Sequence, residues 1–248
     1  MARRSREMGI IKACVLGAAL TAGLATAQAD DKKLTLTGSA TFTTDYMFRS
    51  ISQTSSGPAV QPEFDLTYGM FYAYIWGSNV NVPGAEGIEI DYGAGITPKW
   101  GGIDFNFAAL EYTYPGGSSL DYLELRSSAA YTFGEKLTLS IGNWWSPDNF
   151  GLGTTSDAVE GGASYAFAGK LFNFFSPSIS GALGYQSFES VLADYTYWNA
   201  GLTLGFLDRW SADVRYYDSD MNRADCFTLA GGRSFCDGRV VGSLKATF

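Results

Sequence analysis

The sequence predicts an all-β protein, a transmembrane antiparallel up-and-down β-barrel of about twelve strands that follows a cleaved leader. Three observations predict it. Segments about ten residues long alternate apolar and polar side chains through most of the chain, as strands with one lipid face and one lumen face do. The connections between them alternate short and long. The final segment, Arg239 to Phe248, puts Val240, Gly242, Leu244, Ala246 and Phe248 on one face and Arg239, Ser243, Lys245 and Thr247 on the other, with Val241 as the apolar exception.

An export signal comes first. Arg3, Arg4 and Arg6 precede an apolar stretch from Met8 to Ala25, and Ala27-Gln28-Ala29 supplies small residues for cleavage. This predicts a signal peptide over 1–29 and one outer-membrane barrel domain over 30–248. Lys12 interrupts the apolar stretch and argues against a retained membrane helix, Cys14 lies too early in it for a lipidated cysteine, and the residues around Arg3-Arg4 fit a twin-arginine signal poorly. Losing the leader removes Arg3, Arg4, Arg6, Lys12 and one acid, Glu7, which moves the formal charge from −8 to −11. A chain this acidic offers no basic patch to displace counterions from phosphates, so nucleic acid is excluded as a partner. No Pro/Ser-rich linker or charge run divides the mature chain, and no apolar run outside the leader approaches the roughly 18 residues of a membrane helix. Aromatics at 15%, 30 glycines and a mean hydropathy near zero suit a sheet whose two faces average out.

The strands follow in order. In the first, Leu34, Leu36, Ala40, Phe42, Tyr46 and Phe48 alternate with Thr35, Thr37, Ser39, Thr41, Thr43 and Asp45. The second sets Val60, Pro62, Phe64 and Leu66 against Gln61, Glu63, Asp65 and Thr67. The third, Phe71 to Val80, is apolar or aromatic on both faces, and its facing stays open. Ile88, Ile90, Tyr92 and Ala94 oppose Glu89, Asp91, Gly93 and Gly95 in the fourth. Phe105, Phe107 and Ala109 point outward in the fifth against Asp104 and Asn106, which leaves Glu111 on the lipid side, through a bulge or at headgroup level. The sixth sets Leu123, Leu125 and Tyr131 against Tyr122, Glu124, Arg126 and Ser128. Leu137, Leu139 and Ile141 mark the seventh, Val159, Ala163 and Tyr165 against Glu160 the eighth, and Ile179, Leu183 and Tyr185 the ninth. Trp198, Leu202 and Phe206 mark the tenth, Trp210 and Val214 against Asp213 and Arg215 the eleventh, and 239–248 is the twelfth.

Short connections fall around Tyr68-Gly69, Lys99 to Gly101, Gly134 to Lys136, Ala168 to Asn173 and Leu207 to Arg209. The others, at 49–57, 79–87, 115–119, 146–156, 186–193 and 218–237, are mostly longer. Short periplasmic turns alternating with longer external loops mark a barrel, and a sandwich has no reason to show them. Aromatics collect near strand ends. Tyr46, Phe48, Trp76, Trp144, Trp145, Tyr195 to Trp198 and Tyr216-Tyr217 are expected in an outer girdle, and Trp100, Phe133, Phe172 to Phe175, Phe206 and Trp210 in an inner one.

The chemistry is that of a passage rather than a catalyst. The chain has no His, so base-assisted nucleophilic catalysis has no carrier, and no catalytic residue, cofactor or metal centre is expected. Cys226 and Cys236, ten positions apart in the longest loop, predict a disulfide in an oxidising compartment. Inward positions hold Asp45, Glu63, Asp65, Glu89, Asp91, Glu124 and Asp213 with Arg49, Arg126 and Arg215, along with Asp104, Glu160, Arg239 and Lys245. Glu63 with Asp65 and Glu89 with Asp91 suggest a cation-attracting interior or a Ca²⁺ site. Glu124 with Arg126 and Asp213 with Arg215 suggest a salt-bridge ladder across a narrow lumen. Two functions stay open at this point. One is a diffusion channel for small hydrophilic solutes with a weak cation preference; the other is a closed structural or adhesive barrel acting through its external loops.

The segments 44–54 (TDYMFRSISQT), 71–80 (FYAYIWGSNV), 88–95 (IEIDYGAG), 112–116 (YTYPG), 122–125 (YLEL) and 146–150 (SPDNF) resemble those of the TorF-like porin family, also named Gcw_chp, across the mature chain. The turn at Tyr68-Gly69 is shorter than that pattern, and the Cys-bearing loop departs from it. The resemblance implies a proteobacterial outer-membrane barrel with porin function, surrounded by outer-membrane lipid. The terminal strand with Val240, Gly242, Leu244, Ala246 and Phe248 resembles the signal read by barrel-insertion machinery. Solute identity and oligomeric state are not set by the sequence.

Overall fold

The alternation closes into a barrel. The computed structural model describes residues 33–190 and 192–248, so the expected leader and its cleavage junction lie outside the described residues. Twelve long strands follow one another: β1 (Thr35–Thr43), β2 (Ala59–Tyr68), β3 (Phe71–Val82), β4 (Ala85–Ile96), β5 (Ile103–Thr113), β6 (Tyr122–Phe133), β7 (Leu137–Ser146), β8 (Ser156–Ala166), β9 (Ser176–Phe188), β10 (Tyr195–Phe206), β11 (Trp210–Ser219) and β12 (Arg239–Thr247). Each pairs antiparallel with its chain neighbour. β1 also pairs with β12, Ser39 opposite Thr247 and Thr43 opposite Ser243, so the sheet has no open edge. An even strand number brings the start of β1 and the end of β12 to one rim, the Phe248 end; the other rim is the loop end.

Connections at the Phe248 end are residues 69–70, 97–102, 134–136, 167–175 and 207–209. Those at the loop end include 44–58, 114–121, 147–155 and 220–238, but the long loop expected over 79–87 is a tight turn at Pro83-Gly84, with Gly84 at φ 82°. Outward-facing Asn79 and Asn81 made these residues read as a loop. They are strand residues of a hairpin whose outer face stays polar, and a strand that projects beyond lipid needs no apolar outer face.

Facing follows the burial pattern. Leu36, Phe42, Phe64, Ile141, Leu183 and Val214 are exposed on the outside, and Trp100, Phe133, Phe172, Phe174 and Trp210 form an exposed belt at the Phe248 end. Glu111 faces outward in an unbroken β5–β6 register, Leu110 opposite Glu124 and Glu111 opposite Leu123, so no bulge displaces it. β3, undecided in sequence, turns Tyr72, Tyr74 and Trp76 inward and Phe71, Ala73 and Ile75 outward. Its inner face is aromatic because the rings lie over facing glycines. Tyr74 is opposite Gly93 and Tyr72 opposite Gly95, and a Cβ at either glycine would collide with the ring across from it.

The expected outer girdle divides. Trp145, Trp198 and Tyr216 face outward, whereas Tyr46, Trp76, Tyr195, Tyr197 and Tyr217 are buried inside the barrel, with Phe48 and Trp144 partly so. Sequence clustering could not separate the two groups because adjacent strand residues point to opposite faces. The buried ones build a core within the loop-end half of the bore, where Tyr46 meets Trp76 edge-on at 5.4 Å and Tyr112 stacks on Tyr122 at 4.5 Å.

Candidate functional site: the barrel lumen

The 44–58 connection folds into the bore instead of standing above it. Met47–Phe48 and Ile51–Ser52 pair as a small hairpin whose tip, Arg49 and Ser50, sits in the left-handed region at φ 46° and 61°. A two-residue hairpin with this twist needs such angles and normally takes Asn or Gly there. Here the strain is opposed by contacts on the far wall. Arg49 pairs with Glu124 on β6 at 2.9 Å and donates to Gln186 on β9 at 2.7 Å, and Ser50 Oγ donates to the Trp198 carbonyl on β10. The loop therefore spans the lumen from β1 to the strands opposite.

Its base is fixed as well. Asp45 pairs with Arg239 at 2.8 Å and accepts from Ser52 and Thr54 hydroxyls at 2.6 and 2.9 Å. The Ser52 amide donates to the Phe235 carbonyl in the 220–238 loop, and Ile51 packs with Tyr195, Tyr197, Cys226 and Cys236. Cys226 and Cys236 are joined by a disulfide that ties α1 (Arg223–Ala230) to the following turn above the inserted loop. α1 was not anticipated. Asn222 caps it by accepting from the Ala224 and Asp225 amides, and Gly231 ends it at φ 79°.

Lumen charges separate into paired and unpaired groups. Arg49–Glu124 is nearly dry, with side chains 8% and 0% exposed. Burial is the largest single influence on Arg49 and opposes its charge, but the Glu124 carboxylate, together with smaller contributions from Tyr197, Tyr112 and Tyr122, outweighs it and holds the guanidinium above its ordinary pKa. Asp213 and Arg215 pair at 3.2 Å, and Arg215 also donates to Asn199 and Ser180, lacing β9, β10 and β11 together. Glu63 meets Lys245 at 3.5 Å, close to Ser39. The expected Glu124–Arg126 pairing is replaced by Arg49–Glu124, because the inserted loop delivers a closer cation. Asp65, Glu89, Asp91 and Glu160 have no ion pair among the described residues, and no three His, Cys, Asp or Glu side chains among those residues gather as metal ligands. The Ca²⁺ alternative therefore finds no ligand set there.

The two halves of the bore differ. Beneath the loop tip a cavity of about 30 Å³, room for about two waters, lies between Phe48, Trp144, Glu160, Tyr197 and Asn199. Toward the Phe248 end the inner face is small and hydroxylic, with Ser128 and Ser164 half-buried and Ser140 and Thr132 exposed although they point inward. This half is termed the vestibule; its inner face also carries buried residues, among them Asn106, Ala130, Ser178 and Thr203.

The family profile of Gcw_chp, described as bacterial protein of unknown function, matches residues 27–248. The chain belongs to the Gcw_chp family. Among curated proteins, none matches it in sequence. Its barrel is similar to that of the NanC porin, solved in a rhombohedral crystal form, at 10% identity and a TM-score of 0.54, over 86% of this chain and 99% of that one. An outer membrane channel from Pseudomonas putida F1 matches at 8% identity and a TM-score of 0.45, over 86% and 94% of the two chains. At such identities the likeness extends to the fold alone.

Sequence reasoning placed the charged residues of this Gcw_chp barrel on its inner face, but it missed the inserted loop and with it Gln186, Tyr197 and Trp144 as inner contacts. One signal was available: Tyr46-Met-Phe-Arg49 is too apolar for a loop left in water.

Proposed function

We propose that this chain is a porin-like diffusion channel in the outer membrane of a Gram-negative bacterium, passing small hydrophilic solutes with a weak cation preference. Membrane lipid contacts the apolar outer face, and barrel-insertion machinery reads β12 and Phe248. The observation that carries the reading is the excess of inward carboxylates over inward cations. Among the described residues, Asp65, Glu89, Asp91 and Glu160 lack ion pairs, against Arg126 alone of the cations facing them. A bore with this imbalance attracts cations. Asp45, Glu63, Glu124, Asp213, Arg49 and Arg215 hold the path in shape through neutral pairs.

The loop crosses the bore, with a cavity of about 30 Å³ beneath its tip, so in this reading residues 44–58 move aside when a solute passes. The same observation favours a second reading, a permanently closed structural barrel acting through its external loops. Planar-bilayer recordings of refolded protein, with and without the 44–58 insertion, separate the two. The channel reading expects discrete steps that grow several-fold when the loop is shortened, with cation-selective reversal potentials in a salt gradient. No steps from either protein would end it, and anion selectivity would end the charge argument.

A further inference from the structure

Among the described residues, Arg126 is a bore cation left without a carboxylate. It lies on the inner face of β6, 4% exposed, with its ring partner Trp144 5.3 Å from the guanidinium carbon. Arg49, Arg215 and Arg239 each hold a carboxylate, whereas among the described residues Arg126 holds none, and its Nε and Nη1 have no acceptor. Glu124, two residues away on the same face, is occupied by Arg49 and by the Tyr112 hydroxyl at 3.0 Å. A buried guanidinium without an acceptor is strongly disfavoured, and a packed barrel could have filled this position with an apolar side chain.

A second unpartnered donor stands beside it. Asn106 on β5 is 1% exposed; its Oδ1 accepts the Tyr72 hydroxyl at 3.0 Å, and its Nδ2 has no partner. Asn106 faces Ser128, and Ala108 faces Arg126, so Asn106 and Arg126 are diagonal neighbours on one inner face, within reach of one small group. Tyr72 fixes the amide so that the NH₂ is the end left over. Toward the vestibule, the inward positions next to Arg126 are half-buried Ser128 and buried Ala130 on β6, and Gly142, under the Trp144 ring, and exposed Ser140 on β7.

We propose that Arg126 and Asn106 form a binding site for the carboxylate of a small hydrophilic solute, reached from the Phe248 end of the lumen. Two kinds of donor with no acceptor call for a group that brings several acceptor oxygens and a negative charge. The carboxylates elsewhere in the bore favour a monoanion over a dianion such as phosphate. A weak overall cation preference is compatible with this, because that preference is a field along the path and this is one contact. The inference goes beyond the channel reading, since it needs only an open vestibule and no conduction.

The test is binding of ¹³C-acetate to the refolded full chain in detergent micelles at low ionic strength, followed by saturation-transfer NMR. Saturable binding in roughly the millimolar range is expected. Arg126→Met, which keeps a stem over Trp144, should weaken it by roughly tenfold or more, and Arg126→Lys by an intermediate factor. Asn106→Leu should also weaken it, and phosphate should compete less well than acetate. Lys245→Met removes a lumen cation outside the site and should change binding less than about twofold. Refolding of each variant is checked by its heat-dependent gel mobility; should Arg126→Met not refold, Arg126→Lys and Asn106→Leu decide. Absence of saturation in the wild type, an equal loss in Lys245→Met, or tighter binding of phosphate than of acetate would each overturn the proposal. Bilayer recordings score conduction separately, so failure of one reading is not failure of the other.

Discussion

Arg49 reaches Glu124 only because its backbone adopts a left-handed angle at the hairpin tip, so one ion pair both holds the loop and offsets the strain. Removing one partner of a buried pair leaves the other charge uncompensated, which costs about 3–5 kcal/mol, whereas replacing both with apolar groups of similar volume is far milder. Arg49→Met is therefore expected to lower the urea midpoint clearly, and the double variant Arg49→Met, Glu124→Leu to recover most of the loss. A double variant as unstable as the single one would refute this. At Gly93 the relation is steric: Tyr74 lies where a side chain would be, so Gly93→Val should destabilise the barrel by about 1–3 kcal/mol in the same titration. Combining it with Tyr74→Ala should remove part of that effect. Neither pairing was legible in sequence. Gly93 and Gly95 read only as polar-face positions, and the assignment of Glu124 to Arg126 failed because a residue from a distant loop competed for it.

At the scale of elements, the strands were legible and the connections were not. All twelve strands follow from alternation, and so does the facing of every strand but β3, including the outward Val240, Gly242, Leu244 and Ala246 of β12; Tyr46 and Phe48, read as the outward end of the first strand, lie beyond β1 and turn inward. The β1–β2 connection is different, since its residues have no period that says whether it stands in water or folds into the lumen. The disulfide loop packs on it through Ile51, Phe235, Cys226 and Cys236. Replacing both cysteines with serine should therefore loosen 44–58, seen as faster amide exchange at Ser52, whose amide bonds to Phe235. Unchanged exchange there would uncouple the two loops. At the seam, Phe248 exchanges backbone hydrogen bonds with Gly38 at 2.9 Å each way, and its ring covers Gly38 beside Phe64. Deleting Phe248 is expected to slow insertion into lipid vesicles, alone and with insertion machinery, more than it alters conductance. Normal insertion would count against an assembly role.

For the whole molecule, the consequence is a barrel with two unlike halves, a packed aromatic and charged half toward the loops and a hydroxylic vestibule toward Phe248. If the unpaired carboxylates set ion preference, the combined variant Asp65→Asn, Glu160→Gln should shift the reversal potential toward zero in a salt gradient, more strongly at low ionic strength. An unshifted potential would move selectivity elsewhere. The sequence by itself determined the strand number, the faces of nearly every strand and the acidic character of the bore, because these depend on a period-two pattern that each segment carries locally. Only the tertiary structure decided that loop 44–58 crosses the lumen, that Glu124 belongs to Arg49, that most of the loop-end aromatics point inward and that Arg126 is left without an acceptor among the described residues. Those outcomes depend on which residues meet across the bore, and closure of the sheet brings together positions as distant as Arg49 and Gln186 that no local period relates.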